Sequence, residues 1–283
     1  MTKPVLLTTL LILCCCAAPG ESCPVRTPLP ARGVCAHRGD CRDYPENTVP
    51  AIASAARKGA QMIEFDVKRC RTGELVILHD ATVDRTTNGQ GNVTNLTFTE
   101  IRALDAGLKK NARFAGTRIP TFDEAVDCIP RDGVWINVHC GPGVAVEVAR
   151  AIRDKKRLHQ AFLACSLGDA RRARKEVPEI LVCNMSRTGP WERAWRADET
   201  RAYVANTVTN GCRFLQLIQP AAAADLEALH AAGGKVSYFF TDSPARAREL
   251  WANGVDFVLT NNLDDLLPHV PTADVQPPSP RLP

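Results

Sequence analysis

In Met62-Ile63-Glu64-Phe65-Asp66-Val67, apolar and acidic residues alternate. Side chains of an extended strand point to opposite faces in turn, so Glu64 and Asp66 share one face and Ile63, Phe65 and Val67 the other. Two neighbouring carboxylates out of water cannot both stay ionised without a cation or a proton between them. Such oxygen ligands suit Mg²⁺ or Ca²⁺. The other reading is an amphipathic strand with a wet acidic face, and the six residues alone leave both open. His37 is followed by Arg38 and Gly39, and His79 by Asp80. The planar fork of Arg38 can give a phosphate two hydrogen bonds at once. Either histidine alone could be structural; two histidines beside a carboxylate pair form an acid–base set. In Val134-Trp135-Ile136-Asn137-Val138-His139, Trp135, Asn137 and His139 share a face. His139 is either a third ligand from a neighbouring strand or a structural hydrogen-bonding residue.

These residues fall in short apolar runs at 33–37, 62–68, 75–79, 134–139, 161–165, 180–184, 213–217, 235–240 and 255–260. Helix signals lie between most of them, the pattern of a parallel sheet with crossover helices. One helix begins near Thr48 and stops at Gly59. Another opens at Thr121 with a capping box to Glu124, and a third at Ser166 with Asp169 three residues on. Later ones run up to Gly233-Gly234 and from Ser243 to Asn253. The runs at 62–68 and 75–79 are too close for a parallel crossover, so the second must return antiparallel through a hairpin turned at Thr72-Gly73. The remaining runs number eight, which predicts an α/β fold: a (β/α)₈ TIM barrel over 32–270. The histidines and carboxylates then meet at the C-terminal mouth. Residues 80–120, rich in Thr, Asn and Gly with a helix-like piece at 99–104, form a small insertion after the second barrel strand and its hairpin. The Pro-rich residues 271–283 read as a disordered tail.

With 283 residues, 45% hydrophobic content and a net charge of +4, the chain can bury a large core and carries no signature of nucleic-acid binding. Lys3, an apolar run at 5–13 and the small residues Ala17, Ala18 and Gly20 read as a signal peptide within 1–22, and hence as an exported, periplasmic or secreted protein. The run is too short to span a bilayer. Cys14, Cys15 and Cys16 offer a weak lipidation site, since no small residue of the expected kind precedes them. Of the 12 cysteines, nine remain after these three, an odd number. Cys35, Cys140, Cys165 and Cys183 lie in or beside apolar runs, where a thiol acts as a small core residue. Cys23, Cys35 and Cys41 are close enough for one pairing. The expectation is mostly buried thiols, with at most one or two disulfides.

Ala36-His37-Arg38-Gly39, Pro45-Glu46-Asn47-Thr48, Glu64-Phe65-Asp66-Val67, His79-Asp80, Asp84-Arg85-Thr86-Thr87, Gly91-Asn92-Val93 and Ile119-Pro120-Thr121-Phe122-Asp123-Glu124 follow one another in order. Together with Gly254-Val255-Asp256-Phe257-Val258-Leu259-Thr260, this series resembles the glycerophosphodiester phosphodiesterase family over nearly the whole mature chain. The resemblance implies a divalent metal, Mg²⁺ or Ca²⁺, on a barrel that hydrolyses a small glycerophosphodiester to an alcohol and glycerol 3-phosphate. It implies His37 and His79 as the acid–base pair, in an order left open, and Glu64 and Asp66 as metal ligands. Arg38 would contact the phosphate, with Glu46 and Asn47 beside it; Asn47 would also help start the following helix.

Three positions depart from the family's pattern. His139 and Gly141 stand where the family commonly has a Glu ligand and, two places later, a Lys. An imidazole in place of a carboxylate lowers the negative charge and favours Mn²⁺ or Zn²⁺. Without that Lys, Arg38 or another base must carry the phosphate's charge. Phe239, Phe240 and Thr241 replace a Trp-Thr pair and keep an apolar wall. These departures leave two further readings: a sphingomyelinase D-like phospholipase, or an inactive exported binding protein. Retention of both histidines and both carboxylates argues against the second, since a binding protein needs no acid–base pair.

Overall fold

The buried strands pair edge to edge and return to their starting point in a computed structural model that describes residues 28–189 and 193–271. In chain order the elements are β1 (Gly33–Ala36), α1 (Val49–Lys58), β2 (Met62–Arg69), β3 (Leu75–Ile77), α2 (Phe98–Arg102), α3 (Phe122–Asp127), β4 (Trp135–Cys140), α4 (Ala145–Asp154) and β5 (Ala161–Cys165). They continue with α5 (Leu167–Glu176), β6 (Leu181–Asn184), α6 (Ala197–Thr209), β7 (Phe214–Leu217), α7 (Ala223–Ala231), β8 (Lys235–Tyr238), α8 (Pro244–Ala252), β9 (Phe257–Thr260) and α9 (Leu263–Leu266). Every expected strand is present, with its ends shifted by at most two residues.

The order β1-β9-β8-β7-β6-β5-β4-β2 closes through a parallel β1–β2 pairing, so eight strands make a (β/α)₈ barrel. β3 is the expected hairpin. It pairs antiparallel with β2 at Val67, Lys68 and Arg69, whereas β1 pairs with β2 at Met62 and Ile63. The hairpin therefore extends the same edge of β2 above the point where β1 ends. Gly73 turns it with φ near +106°, a conformation that favours glycine.

Cys35, Met62, Trp135, Phe162, Cys183, Phe214, Phe257 and Leu259 fill the barrel's lower interior, with Phe162 stacked on Phe214 at 3.9 Å. A second core joins the outward strand faces to the helices; Ile63, Phe65 and Val67 belong to it, as the alternation along β2 requires. Thr121 and Ser166 cap α3 and α5 as expected. α2 begins with an unanticipated capping box between Thr97 and Glu100. The segment after β3 has an apolar cluster of its own, including Val83, Val93, Ile101 and Ile119. α1 begins after Thr48, but Asn47 does not cap it; that side chain turns to Asp66.

Among the described residues the eight cysteines are all free thiols, Cys35 and Cys41 included. Cys35, Cys165 and Cys183 are buried, and Cys140 is half-buried. The expected leader, Cys23 and the tail from 272 lie outside the described residues. No helix among those residues is long and apolar enough to cross a membrane.

Candidate active site

Register along β2 and β4 sets Glu64 beside Asn137 and Asp66 beside His139, near the C-terminal end of both strands. Glu64 and Asp66 are buried, while His139 is half-exposed at the mouth. Ligand atoms of the three residues lie within 4.8 Å of one another. His139 Nδ1 is 3.0 Å from Asp66 Oδ1 and 3.8 Å from Glu64 Oε1.

Burial, followed by the charge of Asp66, pushes the Glu64 carboxyl well above the usual carboxylate range. Burial also acts to raise Asp66, but hydrogen bonding and charge from His139, with help from Asn47, outweigh it and hold Asp66 low. Without a cation the pair therefore favours one proton and one negative charge. Two oxygen donors and an imidazole, too crowded to ionise fully alone, fit a divalent cation.

The loop after β1 supports this cluster. Arg38 has φ near +58°, and its backbone N–H donates to Glu64 Oε2 at 2.9 Å. Gly39 follows with φ near +77°; a Cβ there would meet the Ala51 carbonyl carbon at 2.7 Å, so only glycine fits against the start of α1. Asn47, also at positive φ, holds Asp66 twice: its Nδ2 donates to Asp66 Oδ2 at 2.9 Å, and its Oδ1 accepts from the Asp66 backbone N–H at 3.1 Å.

His37 directly follows β1, and its backbone N–H donates to the Thr260 carbonyl at 3.0 Å. Its Nδ1 is 2.8 Å from Asn261 Oδ1. Asp242, an acceptor only, takes hydrogen bonds from Asn261 Nδ2 at 3.4 Å, from its backbone N–H at 2.7 Å and from Thr260 Oγ1 at 2.9 Å. That orients the amide oxygen of Asn261 to His37, which must donate from Nδ1 and keep Nε2 as a free lone pair. Burial, then the nearby Arg38, lowers the His37 pKa. Phe239 stands edge-on to the His37 ring at 5.3 Å and Phe240 stacks on it at 6.0 Å, so the expected apolar wall is present.

His79 returns to the mouth after β3, where the Leu78 backbone N–H donates to the Asp66 carbonyl at 3.0 Å. Its Nδ1 is 2.7 Å from Asp80 Oδ1. Arg85 holds Asp80 at 2.7 and 3.0 Å and Glu46 at 2.8 Å through both terminal nitrogens. The Asp80 carboxyl is lowered to about 2, first by the Arg85 hydrogen bond and then, against burial, by His79. Glu46 also accepts from Arg38 Nη1 at 2.9 Å. Arg38 and Glu46 are thus linked to each other, and a chain of ion pairs runs from Arg38 to His79.

Every residue singled out in the sequence lies around this mouth: His37, Arg38, Glu46, Asn47, Glu64, Asp66, His79 and His139. Sequence reasoning missed Asn261 and Asp242 as supports of His37, and the bridging role of Arg85. Asn261 directly follows the recognised segment ending at Thr260, the one available signal for it. A cavity of about 590 Å³ opens at the other barrel end, lined by Arg32, Arg213, His230 and Lys235. Its Asp256 is tied to His230 at 2.8 Å and Lys235 at 2.7 Å, an arrangement that locks strand starts together.

The sequence pattern of the glycerophosphoryl diester phosphodiesterase family matches residues 37–265, a span from His37 past Asn261. The chain belongs to this family. Its members are phosphoric diester hydrolases. A glycerophosphodiester phosphodiesterase of Caldanaerobacter subterraneus is 37% identical over 175 residues, 58% of this chain and 72% of the relative. Mouse glycerophosphodiester phosphodiesterase 1 is 45% identical over 97 residues, 33% of this chain and 29% of that protein. Among solved structures, an Oleispira antarctica phosphodiesterase in complex with the product sn-glycerol-3-phosphate superposes with a TM-score of 0.71 at 25% identity, covering 84% of this chain and 96% of that one. A glycerophosphodiester phosphodiesterase from Agrobacterium tumefaciens shares the fold, with a TM-score of 0.69 at 24% identity over 84% and 99% of the two chains.

Proposed function

We propose that this chain hydrolyses glycerophosphodiesters to an alcohol and glycerol 3-phosphate, with a divalent cation at Glu64, Asp66 and His139 and with His37 and His79 transferring protons. The observation that carries the reading is convergence: two histidines bonded through Nδ1, with no Nε2 partner among the described residues, and a three-residue candidate ligand cluster reach one barrel mouth from the end of β1, β2, the end of the β3 hairpin and β4. A cation held there would bind a non-bridging phosphate oxygen and offset charge developing at phosphorus.

His37 is neutral at Nε2 and disfavoured as an imidazolium by burial, so it takes the proton from the attacking oxygen, which belongs to water or to the substrate's own glycerol hydroxyl. His79 carries the Asp80 carboxylate on Nδ1, whose charge complements a protonated ring, and it gives its Nε2 proton to the departing alkoxide. The P–O bond to the alcohol breaks as the bond to the incoming oxygen forms. Water as attacker gives glycerol 3-phosphate directly, whereas attack by the glycerol hydroxyl gives a cyclic glycerol phosphate that a water then opens, His79 taking the water's proton and His37 returning one to the departing ring oxygen. His139 in place of a carboxylate favours Mn²⁺ or Zn²⁺ over Mg²⁺ or Ca²⁺. A cavity of about 160 Å³ lies beside Glu46, lined by Arg85, Lys109 and Lys110 of the segment after β3. The leader-like start of the sequence supports export, which cell fractionation of the full chain tests.

The test is turnover of glycerophosphocholine to glycerol 3-phosphate by the chain and by two variants. His37→Ala and His79→Ala should each lose about 10²–10⁴-fold in kcat. Undiminished turnover in either variant removes that histidine from the mechanism.

A further inference from the structure

The alternation along β2 continues one step beyond the ligands: Glu64, Asp66 and Lys68 occupy one face of the strand. Lys68 is half-buried near the C-terminal end of β2, one inward position above Asp66. The register that sets Asp66 beside His139 and Val67 beside Cys140 brings Gly141 next to Lys68. The Gly141 backbone N–H donates to the Val67 carbonyl at 3.0 Å. A Cβ on Gly141 would lie 2.9 Å from that oxygen, 3.5 Å from Lys68 Cδ and 3.7 Å from Lys68 Nζ. The lysine stem and ammonium therefore lie across the place where a side chain at 141 would begin.

Nearby guanidinium groups are already engaged. Arg38 pairs with Glu46 at 2.9 Å and with Asp66 at 3.6 Å, and Arg85 pairs with Glu46 and Asp80. The Lys68 side chain makes no hydrogen bond or ion pair among the described residues. A half-buried ammonium without a counter-charge, at the rim of a site whose substrate is an anion, is disposed to receive that anion.

We propose that Lys68 is a substrate-binding residue: its ammonium contacts a phosphate oxygen of the bound diester, across the space that Gly141 leaves clear. The proposal rests on the phosphodiesterase reading above and adds the group that takes the phosphate's charge. A flexible point charge with three donors can follow a phosphate oxygen as its charge grows in the transition state.

Lys68→Met keeps most of the stem and removes the charge; Lys68→Arg keeps the charge. With glycerophosphocholine and the cation that best restores the parent chain, Lys68→Met should lose about 10²–10³-fold in kcat/KM. Lys68→Arg should recover at least tenfold of that loss. Calorimetric Mn²⁺ affinity and the thermal midpoint of Lys68→Met should match the parent, while its affinity for inorganic phosphate should fall at least tenfold. Lys68→Met turnover within threefold of the parent would overturn the proposal. So would a fall in Mn²⁺ affinity parallel to the fall in turnover, since Lys68 would then act on the ligand cluster. If the parent itself releases no glycerol 3-phosphate with any cation, the phosphodiesterase reading fails, and inorganic phosphate binding still decides for or against Lys68 as an anion contact.

Discussion

His37 and His79 are the same residue type in opposite surroundings. One ring is buried against Phe239 and Phe240 and donates to an amide oxygen; the other is more exposed and bonded to a carboxylate. Because His37 is lowered from the ordinary imidazole value, protonation of the base should begin only at lower pH. The acid limb of kcat/KM should lie below pH ~6.5, and a limb at or above that value would remove His37 as the base. His139→Glu restores a third carboxylate and should shift the preferred ion from Mn²⁺ or Zn²⁺ towards Mg²⁺ or Ca²⁺, read as the ratio of restored rates. Asn47→Ala removes both bonds to Asp66 and should cost about 10–100-fold in Mn²⁺ affinity by calorimetry. The shared face of Glu64 and Asp66 was legible in the sequence because strand alternation is local; His139 joins them only through the β2–β4 register, so the sequence left its role open. Asn261 was not: it meets His37 across 224 residues, and no spacing rule reaches that far.

Elements place these side chains through a few buried polar ties. Lys58, in the last turn of α1, bonds Asp40 at 2.9 Å and Asp43 and Asp264 at 2.8 Å, tying the loop after β1 to α1 and α9. Asp40 is 1% exposed, and its other main partner is Ser54 at 2.7 Å. Lys58→Met leaves that carboxylate without its cation and should cost about 3 kcal/mol in urea unfolding, in the range found for breaking a buried pair. A loss below about 1 kcal/mol would mean that the loop is held by its backbone alone. The β2–β3 hairpin was legible because six residues cannot make a crossover, whereas the capping box opening α2 was overlooked within a Thr-rich stretch. Asn47 was expected to start α1 because Asn is a common cap. Its positive φ and its bonds to Asp66 give it to the site instead.

For the whole molecule, the buried Glu64–Asp66 pair is a liability in the cation-free chain. Glu64 is raised above the ordinary carboxylate value in the folded chain, so the folded state holds its proton to higher pH than the unfolded state does. Its contribution is present below the unfolded value near 4.5 and is lost as pH rises towards the folded value. After chelation, stability should therefore fall as pH rises above about 4.5, and Glu64→Gln should remove that fall while abolishing Mn²⁺ binding. Mn²⁺ at about 100 times its dissociation constant should stabilise the parent by about 2.7 kcal/mol and leave Glu64→Gln unchanged. Equal pH profiles for the two chelated proteins would show that the Glu64 proton is not held in this way. The barrel itself was legible from eight spaced apolar runs. Closure of β1 on β2, which brings His37 round to the carboxylates, follows from the strand count rather than from any local pattern.

The most direct test of the central claim is release of glycerol 3-phosphate from glycerophosphocholine by the purified chain, first chelated and then given Mg²⁺, Ca²⁺, Mn²⁺ or Zn²⁺ singly. The account predicts no turnover after chelation and restoration, with Mn²⁺ or Zn²⁺ ahead of Mg²⁺ and Ca²⁺. Full turnover in the chelated protein, or none with any ion, would contradict it.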